Sequence, residues 1–163
     1  MDIAMEKEKK QPRKSAANQA AEVIKKFEGF EPEPYLCPAN VPTIGYGTTI
    51  YADGTKVSMD DEPIDEEKAT EELLNHIKKV EKQVNGVLEV KLKAHQKAAL
   101  ISFVYNVGIG NFTRSTLLRK VNHCVDDQNI PAEFRRWTKG GGKVLRGLIA
   151  RREEEVNLWI GNC

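Results

Sequence analysis

Apolar residues recur at helical spacing along most of this chain, and the exceptions gather in one early stretch. Ala17, Ala20, Ala21, Ile24 and Phe27 fall at three- and four-residue steps, which predicts a helix over residues 16–27 with one apolar face. Gly29 is placed to end it, so Glu28 falls in its last turn. A second line, Ala69, Leu73, Ile77, Val80 and Val84, predicts a long helix over 65–83. Asp65, Glu66 and Glu67 open that helix with acids at the positive end of its dipole. Further helices are predicted over 93–107, 115–122, 131–137 and 145–159. Glycines at 108 and 110 and at 140–142 mark breaks between them.

The exceptional stretch runs from Glu28 to Ser58. In Glu31-Pro32-Glu33-Pro34 each proline forces its predecessor into extended geometry, so this segment is not helical. Residues 43–49 are β-branched and glycine-rich, Ala52-Asp53-Gly54-Thr55 is a hairpin signal, and Lys56-Val57-Ser58 returns. A small sheet over 35–58 follows. Gly45 and Gly47 leave room for close approach, by a substrate or by a neighbouring strand. Helices on either side of a small sheet predict an α+β fold, a mostly helical lobe and a small β-hairpin lobe with a cleft between them. The expected division is a mobile polar tail over 1–14 and one domain over 15–163, its small lobe at 30–62 and its helical lobe at 63–163.

Composition narrows the function. With 163 residues and a net charge of +1, nothing global points to nucleic acid. Charge is uneven, however. Residues 53–72 hold nine acids and two lysines, and residues 131–163 hold seven Lys/Arg and four Glu. The basic end suits an anionic polymer such as a bacterial wall, or is a set of solvated helix faces. No apolar run approaches the ~18 residues that span a bilayer. The first residues lack the apolar core of a secretory signal. Cys37, Cys124 and Cys163 are an odd, widely spaced set, which predicts reduced thiols over a disulfide framework and leaves a Cys124–Cys163 pair open. His76, His95 and His123 share no metal-ligand spacing with them, and no phosphate-binding or dinucleotide motif occurs, so no cofactor is expected.

The candidate chemistry lies in EGFEPEPYLCPANVPTIGYGTT, residues 28–49. Glu28 ends a helix, Cys37 follows after eight residues, and Thr43 after five more opens the strand Thr43-Ile44-Gly45-Tyr46-Gly47. A carboxyl grouped with a second polar group and a hydroxyl suits glycoside hydrolysis, in which an acid protonates the leaving oxygen while other groups manage water or positive charge. Asp53, Asp60 and Asp61 are alternative second carboxylates, though Asp53 fits a turn and the others begin an acidic surface run.

This pattern resembles the phage-type lysozymes of glycoside hydrolase family 24, whose signature is Glu, eight residues, Asp or Cys, five residues, Thr, and then a Thr-Ile-Gly-Tyr-Gly-like strand. Residues 96–108, 112–122 and 141–152 resemble three later blocks of that family. The resemblance implies a muramidase cutting the β-1,4 bond between N-acetylmuramic acid and N-acetylglucosamine with inversion. Glu28 would be the acid and Thr43 the group that orients water. Cys37, where most of the family has Asp, would activate water, stabilise positive charge as thiolate, or merely fill space. Tyr105, Asn106 and Ser115 align with cleft-lining positions, although Tyr105 equally suits a core anchor. Arg151 or Arg152 is placed to hold or neutralise Glu28 in the empty cleft, or is plain surface charge. The implied biology is lysis of a bacterial host. The protein would act as a monomer, without nucleic acid or stable membrane insertion. It would remain in the host cytoplasm until a separate holin-type pore gives access to the periplasm and wall. Two rivals share the fold, a protein that grips peptidoglycan without cutting it and a lytic transglycosylase.

Overall fold

Ser15 opens the first helix of the computed structural model, which describes residues 14–161. The tail expected over 1–14 therefore lies outside the described residues, Lys14 excepted. Helix α1 spans Ala16–Glu28, and the Ser15 hydroxyl accepts the Asn18 N–H at 3.1 Å, satisfying one of the unpaired donors of its first turn. Ala17, Ala20, Ala21 and Ile24 are buried as their spacing requires, whereas Phe27 is only half-buried. Gly29 ends the helix with φ +72°, a conformation that glycine reaches without steric cost.

The small sheet begins earlier than the sequence pattern suggests. Strand β1 spans Glu31–Leu36 and pairs antiparallel with β2, Pro42–Gly45, setting Tyr35 opposite Thr43 and Leu36 opposite Pro42. In a two-stranded sheet both strands are edges, so the missing N–H groups of Pro32 and Pro34 are tolerated. At the tip, the Asn40 N–H donates to the Cys37 carbonyl at 2.7 Å and the Cys37 N–H to Val41 at 3.1 Å. Strand β2 also stops sooner than predicted. Gly45 and Gly47 have φ +66° and +83°, and the chain turns there, so that Ile44 and Thr48 exchange hydrogen bonds at 2.9 Å. Beyond it, the expected hairpin forms at Asp53, whose carboxylate accepts the backbone N–H and hydroxyl of Thr55.

Helix α2, Glu66–Val87, is capped by Asp65 and buries Ala69, Leu73, Ile77, Val80 and Val84. It anchors the small sheet. The Tyr46 hydroxyl donates to Glu66 at 2.8 Å, and the Ala52 N–H donates to the buried Glu72 at 2.8 Å. A Cβ added to Gly45 would come within 3.1 Å of Ala69 Cβ, so that glycine serves strand–helix packing.

Helix α3, Ala94–Val107, is buried all round from Ala98 to Val104, which places it at the centre of the core. Helices α1, α2 and α7 pack against it. The predicted break after it is instead a short helix α4, Ile109–Thr113, which buries Phe112. Helices α5, Thr116–His123, and α6, Ile130–Arg135, follow. The glycine-rich segment forms a tight hairpin of β3, Lys139–Gly140, with β4, Lys143–Val144, before α7, Arg146–Ile160. The Phe103 ring makes edge-on contacts with Phe112, Phe134 and Trp137 at centroid distances of 6.1, 5.6 and 5.5 Å, locking α3 to α4 and α6. Cys124 is exposed with a free thiol, while Cys163 lies outside the described residues. Among the described residues no helix is long and apolar enough to cross a membrane.

Ser115 is the N-cap of α5, accepting the Leu118 N–H at 3.1 Å and donating to the Phe112 carbonyl at 2.6 Å. Ser115→Ala is expected to lower the unfolding free energy by about 1 kcal/mol, the usual worth of a cap. Urea denaturation measures it.

Candidate active site

Glu28 owes its place to the end of α1. The Gly29 cap turns the backbone away and leaves the Glu28 carboxyl, 26% exposed, pointing across the chain that leaves β2. There it meets Gly47, where an added Cβ would lie 3.2 Å from Glu28 Oε2 and 3.7 Å from the Tyr105 hydroxyl. The close approach that the sequence left open is therefore structural at Gly45 and made by the candidate acid at Gly47. Tyr105, from the last turns of α3, donates its hydroxyl to the Tyr46 carbonyl at 3.0 Å. Burial pushes its phenol well above the usual range, the charge of Glu28 adding to the shift and Arg151 opposing it. Arg151 completes the group, with Nη1 3.5 Å from Glu28 Oε1.

Between the two sequence candidates for holding Glu28, the structure selects Arg151. Arg152 is fully buried, stacked over the Phe103 ring at 5.0 Å and donating to the Trp137 carbonyl at 3.3 Å. Both arginines converge on Glu155, which sequence reasoning missed. Arg151 Nε lies 3.4 Å and Arg152 Nε 2.7 Å from its carboxylate, and the Ser102 hydroxyl donates to it at 2.6 Å. The spacing of Glu155, four residues after Arg151 and three after Arg152, was a signal for this cluster.

Cys37 and Thr43 sit on the hairpin beside this group. Tyr35, which pairs with Thr43, has its phenol pushed up first by burial and then by Glu28, Glu31 and Cys37, so it lies within electrostatic reach of both Glu28 and Cys37. The Cys37 thiol is held below its ordinary value, chiefly by backbone hydrogen bonding from Val41, with Ala39 and the Thr43 hydroxyl assisting against partial burial. Thr43 is buried, and its hydroxyl donates its only proton to the Val41 carbonyl at 2.8 Å. In that arrangement the oxygen meets a water as an acceptor.

The remaining candidates separate cleanly. Asn106 is exposed beside Tyr105 and free to meet a ligand. Ser115 is buried and spends its hydroxyl on capping. Asp53 and Asp61 are held low by turn hydrogen bonds, Asp53 first by the Thr55 side chain and Asp61 first by the Ser58 N–H and then by Tyr51. The Tyr51 phenol is in turn pushed up to about 12 by burial and Asp61. The His76 ring lies 4.8 Å from that of Tyr105, and burial lowers its pKa. His95 bonds the Leu158 carbonyl at 2.8 Å. Among the described residues no group of His, Cys, Asp and Glu is arranged to hold a metal. A cavity of about 830 Å³ bordered by Val23, His95 and Leu158 is lined by none of Glu28, Cys37 and Thr43.

The phage lysozyme family model matches residues 25–155. A SAR-endolysin of Bacteriophage PS34 is 39% identical over 135 residues, 82% of this chain and 77% of its own. An endolysin of Bacillus phage B103 is 38% identical over 85% of this chain, which spans only 51% of that protein. Among solved structures, the endolysin from Escherichia coli O157:H7 phage FAHEc1 superposes with a TM-score of 0.81 at 30% identity, covering 94% of this chain and 98% of that one. The muramidase domain of SpmX from Asticaccaulis excentricus gives 0.76 at 29% identity, covering 91% and 99%.

Gly47→Ala tests the close approach. With φ +83° and Glu28 Oε2 at 3.2 Å, the added methyl is expected to destabilise the fold by ~1–2 kcal/mol and to displace the carboxyl. The expected readout is a lower melting temperature together with a fall in kcat beyond that of equally destabilised variants remote from Glu28.

Proposed function

The chain belongs to the phage lysozyme family, and from that premise we propose that it hydrolyses the β-1,4 bond between N-acetylmuramic acid and N-acetylglucosamine in peptidoglycan. The observation that carries the reading is Glu28, held at a helix end over Gly47 between Tyr105 and Arg151. In this mechanism Glu28 protonates the glycosidic oxygen. Thr43 accepts a hydrogen bond from the attacking water, which directs the water's free lone pair toward the sugar. Cys37 stands where most of the family has a carboxylate and serves as its thiolate counterpart. Tyr105 and Asn106 present an aromatic edge and an amide to the sugar and its N-acetyl group. Water attacks opposite the departing oxygen, so the anomeric configuration inverts.

The division into a small lobe and a helical lobe, with the cleft opening between them, belongs to the same proposal. So do action as a monomer, residence in the host cytoplasm until lysis, and passage through a separate holin-type pore. The rival chemistry is transglycosylation, in which the muramic acid's own hydroxyl replaces water.

Glu28→Gln keeps the shape of the side chain and removes its proton. Clearing of wall suspensions is expected to fall by at least ~10²-fold, the lower end of general-acid catalysis, with circular dichroism unchanged. Retention of a third of the activity would remove Glu28 from the mechanism. The parent's products, weighed by mass spectrometry, should carry hydrated reducing ends, and products lighter by one water would establish transglycosylation.

Cys37 has its own test. Cys37→Asp is expected to remain active and Cys37→Ala to lose most activity. If thiolate is required, activity needs the deprotonated group and fails as pH drops through its pKa. Backbone hydrogen bonding from Val41 holds the Cys37 thiol below its ordinary value. Ordinary thiols ionise near ~8.5 and Asp near ~3.9, so the expected result is an acid limb of the parent at higher pH than that of Cys37→Asp. Coincident acid limbs would leave Cys37 with packing alone.

A further inference from the structure

Arg151 is shared between two carboxylates of different standing. One is Glu28, partly exposed, whose Oε1 accepts a long hydrogen bond from Nη1 at 3.5 Å. The other is Glu155, fully buried, ion-paired with Arg151 Nε at 3.4 Å without a hydrogen bond and also bound by Arg152 and Ser102. The third anchor of Arg151 is the Ser102 carbonyl, which accepts from Nη2 at 3.2 Å. The guanidinium is thus anchored on the Ser102 carbonyl and held by charge between the two carboxylates, reaching Glu28 through one long hydrogen bond.

A general acid needs this balance. A guanidinium that closed on Glu28 in a bidentate pair would favour the carboxylate, which has no proton to give. No neighbouring cation at all would leave the carboxyl free to rotate away from the glycosidic oxygen. The other groups facing Glu28 are the neutral phenols of Tyr105 from α3 and Tyr35 from β1, with the Cys37 thiol acting on Tyr35 from the hairpin tip. The lysines of the last turn of α1 are directed elsewhere, Lys25 over the Tyr46 ring at 5.3 Å and Lys26 to Glu154. Arg151 is therefore the cation that governs the acid.

We infer that Glu155 is a positioning residue for the reaction, drawing Arg151 back so that it orients Glu28 without stripping its proton. Burial pushes the Glu155 carboxyl up, while Arg152, Ser102 and Arg151 pull it back toward the anion. The inference rests on the proposed role of Glu28 and extends it. Ser102 belongs to the same device, since its hydroxyl holds Glu155 and its carbonyl holds Arg151.

The test compares Glu155→Gln, Ser102→Ala and the surface control Glu153→Gln, which breaks the exposed Arg135–Glu153 pair at 2.7 Å. With peptidoglycan fragments as substrate, Glu155→Gln is expected to lower kcat roughly tenfold with KM within about twofold, and to move the basic limb of the kcat profile down by roughly one pH unit. Ser102→Ala should move the limb the same way by less, and Glu153→Gln should leave it in place. Because Glu155→Gln also frees two buried guanidinium groups, Ser102→Ala decides the question if the former fails to fold. A folded variant of either site whose basic limb coincides with the parent's, whatever its melting temperature, overturns the inference. Failure of the Glu28 reading looks different, since Glu28→Gln would then stay active irrespective of Glu155.

Discussion

Two guanidinium groups and one carboxylate are kept together in the interior, and one of those guanidinium groups reaches the Glu28 carboxyl. Arg151 lies almost wholly inside, and Arg152 and Glu155 wholly so. Ionised groups taken out of water cost several kcal/mol each unless paired and hydrogen-bonded. Here the cost is offset by mutual attraction, by the Ser102 hydroxyl, by the Ser102 and Trp137 carbonyls and by the face of Phe103. Ser102 and Phe103 come from α3 and Trp137 from the segment after α6, so the cluster depends on how α3 and α7 pack against that segment. An apolar substitute would stabilise such a core at least as well. What an apolar substitute cannot do is present a cation to Glu28 from a fixed distance.

The opposite wall is fixed by different means. The hairpin carrying Cys37 and Thr43 is short and both its strands are edges, so it has little stability of its own. It is held by α2, through Tyr46 on Glu66, Ala52 on Glu72 and the close approach of Gly45 to Ala69. Tyr105 joins the walls by donating from α3 to the Tyr46 carbonyl. Its hydroxyl lies beside Gly47 and therefore beside Glu28. One hydrogen bond thus couples the position of the strand exit to that of the acid.

Features governed by local chemistry were legible in the sequence. The apolar lines of α1 and α2 appear on buried faces, and Glu28 sits in the last turn because Gly29 ends the helix. Features decided by tertiary partners were not. Nothing local distinguishes Arg151 from Arg152, two adjacent arginines whose side chains leave α7 about 100° apart. Ser115 is expected to line the cleft, and only the contacts with Phe112 and Leu118 show its hydroxyl spent on capping. Prolines 32 and 34 read as extended, non-helical chain, and only the pairing with β2, in a sheet with no interior strand, makes that segment a strand. Glu155 was hidden for another reason. A glutamate among Glu153 and Glu154 on a helix looks like a solvated charge, and only the rotation that buries the Arg151–Arg152 side of α7 takes it inside.

In the proposed mechanism a thiol at the hairpin tip takes the place of a carboxylate. A carboxylate offers two oxygens and is ionised at neutral pH without help, whereas a thiol offers one sulfur and must be assisted. The tip assists it. The left-handed turn at Asn40, with φ +63°, brings the Val41 backbone over Cys37, and the Thr43 hydroxyl lies within reach of the sulfur. But Thr43 has a single proton, which it gives to the Val41 carbonyl. To stabilise a thiolate, it must release that carbonyl, while in either arrangement its oxygen keeps the lone pairs that accept from a water. The thiolate and the Val41 carbonyl thus compete for one hydrogen atom. An aspartate at position 37 would be ionised without that proton and would leave the Thr43 hydroxyl on the Val41 carbonyl. The substitution of sulfur for oxygen at this one position therefore changes the task of its neighbour as well as its own.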